Sequence, residues 1–232
     1  MFGMSDAHHF RKMVAGFCMV FAPLFVLAGF VVHPASKTDE GAQLGVVSSH
    51  MNAWYTSHLL LFVGTVLAVP AALALMHMLR EREVAWGHLG GGLALMGLLA
   101  ITALIGMDMV TWQMGAGAHG EMASLLHRVN HTTGIVIPFF AGSLLFGAGY
   151  LVLGMGLYRA RATASWFAAC LMAGGIALDV ALITTSLPLA IVASAFIVVG
   201  QGAIGRMVWS ESDDAWERTP EHSGFRALPG MR

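Results

Sequence analysis

The sequence predicts an all-α, polytopic membrane bundle of six transmembrane helices, on three observations. Of its 232 residues 57% are hydrophobic and only 11% are charged, too little charge to cover a soluble domain of this length. The apolar residues fall into six long blocks, each near the ~20 residues that cross the hydrocarbon as a helix. The basic residues alternate between loops as the positive-inside rule requires.

The blocks run over 13–32, 54–79, 87–112, 132–157, 164–185 and 188–208. The first follows Arg11 and Lys12 but is longer than a signal-peptide core. No small-residue cleavage site follows it, only His33-Pro34-Ala35, so it reads as a retained helix. The last two are parted by Thr184-Thr185-Ser186-Leu187-Pro188. Pro188 lacks a backbone donor and disfavours helix at Leu187, which predicts a tight hairpin.

Ten of the twelve Lys and Arg residues fall on one side: Arg11 and Lys12, Arg80 and Arg82, Arg159 and Arg161, then Arg206, Arg218, Arg226 and Arg232. Lys37 and Arg128 are left on the other. The bias puts both termini in the cytoplasm, as an even number of spans requires. Trp54, Trp112 and Trp209 stand at block ends, where an aromatic belt meets the interface. Residues 1–209 therefore form the transmembrane domain, and the polar stretch 210–232 reads as a flexible cytoplasmic tail.

A net charge of -1 gives no nucleic-acid signal. The partner is the lipid bilayer, with other membrane subunits as a further possibility. Cys18 and Cys170 lie inside apolar blocks and read as buried thiols. Gly90-Gly91-Gly92, Gly97, Gly147, Gly174-Gly175 and Gly200-x-Gly202 read as close helix contacts, not phosphate loops.

Polar residues point to a site at the outer ends of the helices. His58 lies about one turn into the second span, Asp108 about one turn before the end of the third, His131 at the start of the fourth with His127 one turn earlier, and Asp179 in the outer third of the fifth. A carboxylate at membrane depth costs about 2.5–3.5 kcal/mol, so Asp108 and Asp179 should face the bundle and have partners. His127 and His131, spaced i and i+4, share a helix face and suit one transition metal. His58 and His131, on separate spans, suit a b-type haem clamped between two imidazoles. The expected site is thus His58 and His131 around one cofactor, with His127 and Asp108 as further metal ligands and Asp179 as another intramembrane polar group.

The run Trp54-x-x-x-His58-Leu-Leu-Leu-Phe-Val-Gly, then Val69-Pro70-Ala71, Leu79-Arg80 and Gly106-x-Asp108, resembles a widespread class of bacterial six-helix membrane proteins of uncharacterised role, the DUF4386-like proteins. The resemblance covers the second and third spans, and the remainder only as a hydropathy pattern. It implies a six-helix fold and the bacterial inner membrane, and no particular chemistry. Three functions stay open: a membrane protein holding haem or a metal at the outer His/Asp site; a membrane-embedded hydrolase whose metal activates water beside Asp108; and a non-enzymatic subunit or small transporter using Asp108 and Asp179.

Overall fold

The computed structural model of the chain describes residues 4–117 and 119–217. Its elements are α1 (Met4–Val32), α2 (Glu40–Ser49), α3 (Met51–His77), α4 (Val84–Met114), α5 (His119–His131), α6 (Thr133–Val136), a π-helical turn (Ile137–Ala141), α7 (Leu145–Ala160), α8 (Ser165–Thr184), α9 (Leu187–Ser210) and α10 (Asp213–Trp216). No strand occurs among the described residues. Six segments are long and apolar enough to span a membrane: Ala7–Val32, Met51–His77, Val84–Met114, Thr133–Ala160, Ser165–Thr184 and Leu187–Ser210. The chain is a six-helix membrane bundle.

The spans form a closed ring. Each packs on its neighbour in the order α1, α3, α4, α7, α8, α9, and α9 returns to α1. Glycine sets the spacing where α4 meets α7. A methyl group on Gly97 would overlap the Phe146 backbone nitrogen, and one on Gly149 would overlap that of Ala94. With lipid outside as apolar as the side chains, such backbone approach supplies the packing that holds the helices together. Tyr150 reaches past α8 to α9, where its hydroxyl donates to Gln201 Oε1 at 2.6 Å, and Gln201 Nε2 donates to the Met19 carbonyl at 3.3 Å. Both residues are buried, and the chain of bonds ties α7 to α9 and α9 to α1.

The fourth span departs from the single helix expected over 132–157. It breaks into α6, the π turn and α7. Pro138 lies inside the π turn, where its ring cannot supply the usual backbone donor. The segments expected as loops before the second and fourth spans are also partly helical. Asp39 caps α2 by accepting from the Ala42 N–H at 2.7 Å. His131 consequently ends the separate helix α5 and does not open the fourth span, because Thr132 turns to an extended conformation (φ -79°, ψ 110°).

The hairpin expected at Pro188 is present. Thr185 closes α8 in the left-handed region (φ 49°), and Pro188 sits in the first turn of α9. Residues 211–217 of the expected tail fold back on the bundle. Trp216 is buried, and Glu217 Oε1 accepts from Arg11 Nη2 at 2.7 Å. Residues 218–232 lie outside the described residues. The start of α1 and residues 211–217 thus meet at one end of the ring, and α2 and α5 pack together over the other.

Candidate functional site

The ring encloses a cavity of about 550 Å³, with residues from all six spans in its wall. Most of that wall is apolar, for example Val26, Leu61, Ile105 and Leu182. Polar groups gather at the end covered by α5: His33, His58 and Asp108. Further along the wall stand Tyr150 and Gln201, already bonded to each other.

His58 is 2% exposed, and the α3 backbone determines its tautomer. Its Nδ1 lies 2.8 Å from the Trp54 carbonyl one turn earlier. A carbonyl only accepts, so Nδ1 carries the proton and Nε2 faces away. Nε2 points to Asp108 Oδ2 at 3.6 Å, across the interface between α3 and α4. That separation is longer than a hydrogen bond, so the contact is electrostatic. It attracts only when a proton lies between the two groups, on Nε2 or on the carboxyl, because a bare imidazole nitrogen and a carboxylate present lone pairs to each other. The Trp54 indole N–H donates to the Asp108 backbone carbonyl at 2.9 Å and locks the two helices in this register.

His33 completes the cluster. It follows directly on α1, and its ring lies 5.1 Å from His58 and 5.0 Å from Trp54 between centroids. Its Nδ1 donates to the Pro34 carbonyl at 2.6 Å. Burial first, and then the neighbouring His58, hold its pKa below the ordinary histidine value, against the opposing pull of the Pro34 carbonyl and Asp108. Neutral His33 therefore has a lone pair on Nε2, a hydrogen-bond acceptor beside the His58–Asp108 couple.

The other expected residues go elsewhere. His127 and His131 stack with centroids 4.0 Å apart, and both are largely exposed. They face Glu40 of α2, whose Oε1 lies 3.2 Å from His127 Nδ1 and 3.8 Å from His131 Nδ1. His131 is not in the cavity wall, so the expected gathering of His58 and His131 around one cofactor does not match the arrangement. The reason is Thr132: by ending α5 it leaves both histidines on an amphipathic helix above the ring. Asp179 is also apart from the couple. Its Oδ1 accepts from the Gly147 N–H at 3.2 Å, in the first turn of α7. It serves a donor that the broken fourth span leaves without a partner.

Four participants were missed from the sequence. His33 could have been suspected from Pro34, which ends the first helix at the depth of His58. Glu40 follows Asp39, a capping residue that marks a helix start. Tyr150 and Gln201 are polar residues in the middle of spans, and Gln201 was hidden between Gly200 and Gly202, read only as packing residues. No family model, no curated protein and no solved structure matches the chain.

Proposed function

We propose that this protein is a non-enzymatic membrane binding protein or small carrier, which takes a largely apolar small molecule into the central cavity and holds its polar end between His33, His58 and Asp108. One observation carries the reading: a ring of six helices around about 550 Å³ of mainly apolar space with three convergent polar groups at one end. Small-molecule sites have this size and this division of labour, with apolar walls for affinity and a few polar groups for orientation. The cluster offers a ligand acceptors at His33 Nε2 and His58 Nε2 and a carboxyl at Asp108.

The placement of His131 above the ring weighs against a bis-histidine haem. Among the described residues the His/Asp/Glu group whose ligand atoms all lie within 4.8 Å of one another is Glu40, His127 and His131 and not the cavity cluster, which weighs against a hydrolytic metal beside Asp108. The distribution of Lys and Arg supports cytoplasmic termini, and the resemblance to DUF4386-like proteins supports the bacterial inner membrane. On that reading His33, His58 and Asp108 lie on the outer side.

The test is native mass spectrometry of the full chain purified in detergent. The wild type should retain a small molecule from the membrane, and Ala68→Phe, which fills the cavity from α3, should expel it without unfolding the bundle. A wild type that emerges bare from every detergent tried, with a melting temperature raised by Ala68→Phe, would mean that the cavity is only a packing defect.

A further inference from the structure

The helices α2 and α5 carry a second cluster, separate from the cavity couple. Glu40 stands at the first position of α2, and His127 and His131 lie one turn apart on α5. One ligand atom from each residue can be chosen so that all three lie within 4.8 Å of one another. Ligands about 2.1 Å from a tetrahedral zinc are about 3.4 Å apart. The Glu40 Oε1 to His127 Nδ1 distance of 3.2 Å is already close to that edge. His131 Nδ1 donates to the His127 carbonyl at 2.9 Å. A tether of this kind fixes the tautomer of ligand histidines and leaves Nε2 as the coordinating atom.

We propose that Glu40, His127 and His131 form a binding site for a divalent transition metal of the zinc class, bridging α2 and α5. Two imidazoles and one carboxylate suit such a metal better than calcium or magnesium, which take oxygen ligands. Three protein ligands leave the fourth position open to water, so the ion can exchange. Both histidines are exposed, and the ion reaches them without entering the bundle.

The site also sits where it can act on the cavity. Val129 and Asn130, between the two ligand histidines on α5, line the end of the cavity that holds His58. A bound ion ties α5 to α2 and so holds that cover in place. The metal site itself does not depend on the cavity having a ligand.

The experiment uses untagged full-length protein in detergent, with zinc and cobalt(II) as probes. After chelator treatment and equilibration with zinc, metal analysis should find one exchangeable ion per chain. Cobalt should give the strong visible bands of a four-coordinate nitrogen and oxygen site. Glu40→Gln, His127→Ala and His131→Ala should each lose the ion and the bands, while His88→Ala, an exposed histidine at the opposite end, should keep both. The three histidines are exposed and Glu40 is half-buried, and elution as a single species in size exclusion checks the fold. A wild type that binds no zinc overturns the proposal, as does a Glu40→Gln/His127→Ala/His131→Ala triple variant with undiminished zinc.

Discussion

Nε2 of His58 and Oδ2 of Asp108 face each other at 3.6 Å, and the other nitrogen of the same ring is committed to the Trp54 carbonyl. The two partners differ in surroundings: the His58 side chain is 2% exposed and that of Asp108 54%. Substitutions should therefore act unequally. His58→Ala removes a buried ring that touches Trp54 and His33 and should cost about 1–3 kcal/mol of stability. Asp108→Asn keeps a polar partner, since its amide can donate to the bare Nε2, and should cost less than about 1 kcal/mol. Thermal unfolding in one detergent, followed by circular dichroism, gives the order. An Asp108→Asn loss equal to that of His58→Ala would show that the carboxylate charge is a structural requirement.

Asp179 makes a different kind of prediction. Its carboxylate accepts from the Gly147 N–H near the start of α7, below the π turn around Pro138. Asp179→Ala should destabilise by about 0.5–2 kcal/mol, the range for losing a helix-capping acceptor. Asp179→Asn retains a carbonyl oxygen and should recover part of this. Hydrogen exchange should rise first at residues 145–149. Faster exchange spread evenly over all six spans would contradict a local capping role.

The six spans were legible because their signal is local: a run of about 20 apolar residues declares itself wherever its partners are. The hairpin at Thr185 and Pro188 was legible for the same reason. The arrangement around the site was not. His58 and Asp108 could be placed at one depth, but depth does not say which faces meet, and His131, placed at the same depth, is not in the cavity wall. Its position turned on a single residue, Thr132, which ends α5 where an unbroken apolar pattern seemed to begin. Glu40 and His33 depend on short helices and helix ends, whose boundaries carry little hydropathy. The Tyr150–Gln201 bond needs the neighbour order of the ring, which no single stretch of sequence contains.

The ring order can be probed through its glycines. Gly97 abuts the Phe146 backbone, while Gly92, on the same helix, has open space where a methyl group would go. Gly97→Ala should push α4 from α7 and cost about 1–3 kcal/mol. Gly92→Ala should be neutral or stabilising by up to about 1 kcal/mol, through the lower entropy cost of alanine in a helix. Melting temperatures of the two variants, measured side by side, decide it. Equal effects would mean that α4 does not meet α7 through Gly97.

The start of α1 and residues 211–217 form a charged latch at the end of the ring away from the cavity couple. Lys12, buried within α1, reaches Asp213 Oδ1 at 2.5 Å and the Glu211 carbonyl at 2.8 Å. His8 and Arg11 hold Glu217, and Arg80 donates to the Trp216 carbonyl at 2.9 Å, while the Trp216 ring lies 4.6 Å from that of His77. The hydrogen bond from His8 first, then Arg11, keeps the Glu217 carboxyl below its ordinary pKa of 4.5, with partial burial opposing. Lys12 first, then His9, does the same for Asp213 against an ordinary 3.8. Carboxyls depressed on docking stabilise the docked tail above their ordinary pKa values, and that contribution is lost as pH falls through the depressed ones. The latch should hold at neutral pH and weaken progressively as the solution is acidified below the ordinary carboxyl pKa values. A nitroxide on Ala215→Cys, an exposed position of α10, reports this through its mobility. It should be restrained at pH 7 and mobile in acid, and Trp216→Ala should free it already at pH 7 by emptying the apolar seat. A nitroxide equally mobile at pH 7 and pH 3 would mean that α10 is not docked on α1 in solution.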